Sequence, residues 1–194
     1  MATSATMPLQ PRKPIVPEPI SPDHFAHFVA RTSKFEEMRR WYQTVLNAQV
    51  VFDNGKLCFI TYDDEHHRLA LVDVPKLQAP AAESWGLAHL AYSYKNLREF
   101  LSTYLRLKNA GIVPFRPVKH GPTISMYYHD PDGTAIELKV DAFLTKEMAV
   151  RYLRGEDFKA NPIGVPFDPD ELVKAYEAGV PEEELLRRPA SDPA

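Results

Sequence analysis

An internal repeat constrains this chain more than any other feature of its sequence. The segment HFVARTSKFEEMRRWYQTVLNAQVVF, starting at His27, lies over HLAYSYKNLREFLSTYLRLKNAGIVP, starting at His89, without a gap. Phe35 meets Leu97, Met38 meets Phe100, Tyr42 meets Tyr104 and Asn47-Ala48 meets Asn109-Ala110, all at an offset of 62 residues. One such match could arise by chance, but a sustained register indicates duplication.

Both copies imply the same local structure. Alternating residues predict a first strand (FAHFVAR; LAHLAYSY). Apolar residues at helical spacing follow, with Phe35, Met38, Trp41, Tyr42, Val45 and Leu46 in one copy. Leu97, Phe100, Leu101, Tyr104, Leu105 and Leu107 form the matching stripe in the other. Three short strands complete each copy: AQVVFD, KLCFITYD and HRLALVDV, then IVPFRPV, TISMYYHD and TAIELKVD. The run DPDG at Asp130–Gly133 predicts a hairpin between the last two. The expected fold is α+β, two tandem βαβββ modules forming a curved mixed sheet around a metal cavity, with a C-terminal helical tail. The division is a proline-rich arm over 1–22, a domain over 23–141 with modules near 23–75 and 85–141, and a helical extension over 142–194. In the extension, TKEMAVRYLRG, DPDELVKAYEAG and VPEEELLRR predict three helices. Asp168 is the N-cap of the second and Gly179 its stop. This extension carries no recognisable chemistry.

Successive side chains on a strand point to opposite faces, which selects the residues that can meet between the modules. Ala26, Phe28 and Ala30 pack under the first helix, leaving Phe25, His27 and Val29 opposite. In the second copy, Leu90 and Tyr92 face the helix and His89 faces away. Ile136, Leu138 and Val140 leave Glu137 opposite them. Two histidines at equivalent repeat positions and a carboxylate on a late strand thus converge on one side. Two imidazoles and one carboxylate, with other positions open, match the facial triad of non-heme iron(II) oxygenases. An isolated histidine is more often a core or surface residue, but the repeat relation argues against that reading here.

Composition limits the partners. Hydrophobic residues form 44% of the chain, enough for a sizeable core, and the net charge of −3 offers no basic face for nucleic acid. No run approaches the roughly 20 apolar residues of a membrane span, and the N-terminus lacks the apolar centre of a secretory signal. The single cysteine, Cys58, sits in the apolar run KLCFITY, reads as buried core and fits a reducing cytoplasm.

Five patches carry a family resemblance: HFVART at His27, EHHRLAL at His67, AHLAY at His89, KHGPT at His120, and SMYYHDPDGTAIEL over Ser125–Leu138. With the duplicated unit, they resemble the vicinal oxygen chelate superfamily and, within it, type I extradiol dioxygenases. The resemblance covers Asp23 to Asp141, room for one metal-bearing domain where many members carry two. It implies an iron(II)-dependent enzyme that opens a catechol-type ring with O2 beside its two hydroxyls, on a 2,3-dihydroxybiphenyl- or catechol-like substrate. It places His27, His89 and Glu137 on the metal, with Fe(2+) expected and Mn(2+) also suited to these ligands. His67, His120 and Tyr127 fall on the catalytic residues around it. His67 would be the base, with His66 as competitor, although alternation sends His66 to the other face. His129 shares a face with Tyr127. The expected partners are a catecholic small molecule, O2 and further copies of the chain.

Two rival readings use the same scaffold. A glyoxalase I-like lyase or isomerase would want a carboxylate in the first copy as well. Subtracting the offset of 62 from Glu137 gives Pro75, with Asp73 nearby. A non-catalytic module binding an aromatic compound would not need the triad.

Overall fold

The computed structural model describes residues 16–81 and 83–189. Most of the proline-rich arm lies outside that range; its last residues, from Val16, are exposed and irregular. The first module runs β1 (Phe28–Thr32), α1 (Phe35–Leu46), β2 (Gln49–Asp53), β3 (Leu57–Thr61) and β4 (Leu69–Asp73). The second runs β5 (His89–Tyr94), α2 (Leu97–Asn109), β6 (Arg116–Lys119), β7 (Thr123–His129) and β8 (Ala135–Asp141). The tail adds α3 (Lys146–Leu153), α4 (Glu156–Ala160), β9 (Val165–Pro166), α5 (Pro169–Glu177) and α6 (Glu182–Leu186). No described helix is long and apolar enough to cross a membrane.

The expected pair of βαβββ modules is present, with the strands divided between two hydrogen-bonded sheets. Their orders are β1-β4-β3-β2 and β5-β8-β7-β6-β9. In each, the first strand lies parallel to the last, and the helix is the crossover that this parallel pairing requires. Phe35, Met38, Tyr42 and Val45 bury one stripe of α1, and Leu97, Phe100, Leu101, Tyr104 and Leu107 bury that of α2. Both stripes join the sheet residues, Cys58 included, in a single core cluster.

Polar ties also cross between the modules. The Tyr42 hydroxyl on α1 donates to Asp130 Oδ2 at 3.0 Å, in the β7–β8 hairpin. The remaining oxygen of Asp130 accepts from the backbone N–H of Asp132 and Thr134, which closes the turn that DPDG predicts. Arg106 on α2 donates to the carbonyls of Thr44 and Val45. Tyr62 meets Tyr92 edge-on, with centroids 5.8 Å apart.

The tail contains its three predicted helices, and Asp168 caps α5 by accepting from Asp170 and Glu171 N–H. Sequence patterning misses α4 and β9, since five and two residues are too short to show a period. Strand β9 pairs with β6, Val118 opposite Pro166 and Lys119 opposite Val165. The extension is thereby joined to the second sheet at the end that carries His120.

Candidate active site

Strand β8 sorts its side chains as alternation requires. Ile136, Leu138 and Val140 enter the core under α2, and Glu137 occupies the opposite face, 7% exposed. A carboxylate removed from water needs partners, and Glu137 has two. His89, the first residue of β5, brings Nε2 to 3.0 Å from Glu137 Oε2. Tyr127, directly across the ladder on β7, hydrogen-bonds to the same carboxylate. Burial, followed by the charge of Glu137, pushes the Tyr127 hydroxyl up to about 12, so it remains a proton donor through the neutral range. The Tyr127 hydroxyl also stands 3.0 Å from His120 Nε2. Four of the six expected site residues therefore form one connected line: His89, Glu137, Tyr127, His120.

His27 and His67, the remaining two, form a separate pair. His27 lies just before β1, exposed, with its ring centroid 4.3 Å from that of His67. His67 stacks flat on Phe59, at 4.4 Å and 12°. Burial, then the neighbouring His27 and His66 rings, lowers the pKa of His67 and favours its neutral form. His66 does not point away from His67, as strand alternation implied. Residues 62–68 lie outside any strand, before β4 begins at Leu69, so the alternation rule has nothing to act on. The two rings touch instead, Nδ1 to Nδ1 at 2.5 Å, and only one of these nitrogens can carry the proton.

The expected triad is thus present as a pair and a single residue. Among the described residues, no three His, Cys, Asp or Glu side chains are grouped closely enough to hold one metal ion. Glu137 is partnered by His89, while His27 stacks within its own module. His129 is also engaged. Its ring stacks on Phe115 at 4.0 Å, and Nδ1 donates to the Gly133 carbonyl at 3.1 Å.

Strand register corrects one inference from the repeat. Val29 pairs with Ala70 and Ala70 with Phe59, just as Ala91 pairs with Glu137 and Glu137 with Tyr127. The first-module equivalent of Glu137 is therefore Ala70, not Pro75, and that of Tyr127 is Phe59. The constant offset fails beyond the helices because the connections between the later strands differ in length. The expectation of no matching carboxylate in the first module still holds, for a different residue.

Sequence reasoning also missed several neighbours of the site. Phe52 and Phe59 lie 5.6 Å apart on the first sheet, and Arg116 places its guanidinium 5.5 Å from the Tyr127 ring. Alternation from Tyr127 and its ladder partner could have found Arg116. The tail, in which no chemistry was expected, reaches the site through a backbone carbonyl. Ile163 O lies 2.5 Å from His120 Nδ1. No residue pattern could reveal this contact, because every residue has a carbonyl.

Comparison with known proteins agrees with this layout. Residues 24–138 match the model of the Glyoxalase/Bleomycin resistance protein/Dioxygenase superfamily. The chain is 47% identical over 158 residues to biphenyl-2,3-diol 1,2-dioxygenase 2 of Rhodococcus globerulus, covering 81% of this chain and 83% of that protein. It is 45% identical to biphenyl-2,3-diol 1,2-dioxygenase 3 of the same organism, covering 84% and 87%. A glyoxalase/dioxygenase from Nostoc punctiforme superposes with a TM-score of 0.54 at 18% identity, over 65% of this chain and 98% of that one, a likeness of fold.

Proposed function

This chain belongs to the Glyoxalase/Bleomycin resistance protein/Dioxygenase superfamily, and on that premise we propose that it is an extradiol dioxygenase. It opens a catechol-type ring beside its two hydroxyls, and both atoms of O2 enter the product. The observation that carries this reading is the line His89, Glu137, Tyr127, His120 on one sheet face, a carboxylate and imidazole pair continued by two proton-bearing groups. The two Rhodococcus globerulus proteins support it, and their names suggest biphenyl-2,3-diol or a similar aryl catechol as substrate.

The donor set suits a divalent ion. Glu137 is a buried carboxylate already within hydrogen-bond reach of an imidazole, and two histidines with one carboxylate favour iron(II), with manganese also accommodated. His27, His89 and Glu137 would hold the ion, which would supply one place where diol and dioxygen meet and exchange electrons.

The remaining steps belong to the protein. His67, kept neutral by burial and by its imidazole neighbours, accepts a proton from a substrate hydroxyl. Tyr127 retains its own proton, which turns from Glu137 or His120 Nε2 in the free site to a substrate oxygen when the diol is bound. Phe59 and Phe115 flank the two halves of the site and offer ring faces to an aromatic substrate. A lyase of the glyoxalase kind gains no support, since Ala70 stands where its second carboxylate would be.

Anaerobic reconstitution with iron(II), followed by 2,3-dihydroxybiphenyl and catechol in air, tests the proposal. The expected result is oxygen uptake with a yellow ring-fission product, absent in His89→Ala and Glu137→Ala. Iron binding without oxygen uptake on any diol would sink the dioxygenase reading and favour an aromatic-binding role.

A further inference from the structure

The contact between His120 and the tail has a chemical consequence. A carbonyl oxygen can only accept, so Nδ1 of His120 must carry a proton to bond Ile163 O at 2.5 Å. In the neutral ring that leaves Nε2 unprotonated, 3.0 Å from the Tyr127 hydroxyl, whose single proton it and the Glu137 carboxylate compete to accept. The tail thereby selects which nitrogen of His120 faces the site.

The loop that supplies this carbonyl is held from several sides. Asn161 Oδ1 accepts from the N–H of Ile163 and of Gly164, at 3.1 and 2.8 Å. Gly164 has φ +101°, and a Cβ there would stand 2.4 Å from Lys119 O and 2.8 Å from His120 Cα. Only glycine lets the loop lie this close to the strand end. On the other side, Gly121 at φ +106° passes under the Tyr152 ring, which a Cβ would meet at 2.3 Å.

Arg188 binds these pieces together. Its side chain, 2% exposed, donates to Asn161 O at 2.6 Å, Asp157 O at 2.8 Å and His120 O at 3.4 Å. It also pairs with Asp157 Oδ2 at 2.8 Å. A buried guanidinium with these partners ties α4, the 161–164 loop and the His120 segment into one unit.

We propose that Arg188 is a positioning residue: through the 161–164 loop it holds the Ile163 carbonyl on His120, fixing the ring with its proton on Nδ1 and Nε2 turned to Tyr127. The C-terminal extension is then part of the reactive site. The proposal rests on the reading of His120 as a residue that orients a substrate oxygen.

The test joins 15N spectroscopy of the histidine side chains to steady-state kinetics on 2,3-dihydroxybiphenyl, using the full chain with Arg188→Met, Arg188→Lys and Gly164→Ala. Gly164→Ala displaces the loop while leaving Arg188 in place, so it serves if Arg188→Met folds poorly. Wild type should show His120 protonated on Nδ1. Arg188→Met and Gly164→Ala should move His120 toward the other tautomer and lower kcat by about 10–100-fold, as loss of a supporting contact does elsewhere. KM should change little, and Arg188→Lys should recover part of both signals. A wild-type His120 protonated on Nε2 would overturn the proposal. So would both variants keeping the Nδ1–H form and wild-type kcat. The spectrum needs no substrate, so a wild type inactive on every diol would overturn the dioxygenase reading while the tautomer still decides this one.

Discussion

The two modules share a fold and differ in chemistry. Where the second has Glu137 paired with Tyr127, the first has Ala70 paired with Phe59. His89 and His27 hold matching places, yet His89 contacts a carboxylate and His27 an imidazole stacked on a phenyl ring. Duplication thus supplies two similar sheets, and divergence gives one a buried carboxylate beside its histidine and the other a phenyl ring stacked on a histidine. A buried carboxylate is costly without partners, so a single copy placed beside His89 is the economical arrangement.

The strongest way to break this asymmetry is at β8 and β4. Glu137→Ala should abolish ring cleavage, because the only carboxylate of the donor set is lost. The reverse change, Ala70→Glu, forces a carboxylate into a buried alanine position beside Phe59, where both nearby imidazoles are already stacked. It should destabilise the fold by about 3–5 kcal/mol in urea titrations. Wild-type stability in Ala70→Glu would mean that the first module can also serve a carboxylate.

Next comes the facing pair on β7 and β3. Tyr127→Phe should lower kcat by about 100-fold or more, as loss of a positioned proton donor does. Phe59→Tyr should leave kcat within a few-fold, since its ring serves His67 by stacking. Equal losses in the two variants would erase the proposed division of labour.

A smaller effect belongs to the tie between modules. Tyr42→Phe should cost about 1.5–3 kcal/mol, the range for a hydrogen bond to a charged group. Burial raises the Asp130 carboxyl above its ordinary value, so the folded state holds its proton to higher pH than the unfolded chain. The resulting stabilisation is complete below about pH 4 and is lost as pH rises through the raised value. Asp130→Asn should therefore flatten the stability profile above pH 4, with other carboxylates setting the remaining slope. An unchanged slope in chemical denaturation would show that Asp130 does not titrate differently on folding.

Much of this was legible in the sequence because periodicity survives tertiary context. Alternation placed Glu137 opposite Ile136 and Leu138, helical spacing gave both buried stripes except for Leu105, which is exposed, and DPDG gave its hairpin. Legibility failed where no period exists. His66 and His67 lie outside any strand, so face assignment had no meaning there. A fixed offset chose Pro75 over Ala70 because hydrogen-bond register, not residue count, defines equivalent strand positions. The tail's contribution rests on a backbone carbonyl and on two glycines, features without a side-chain signature.

If both modules contribute to one metal site, a metal titration will show it. Iron(II) and manganese(II) binding would be measured under anaerobic conditions in wild type, His27→Ala, His89→Ala and Glu137→Ala. One ion per chain is expected in wild type, with strongly weakened binding in every variant, His27→Ala included. Full-affinity binding by His27→Ala would contradict it, leaving the second module to hold the ion alone.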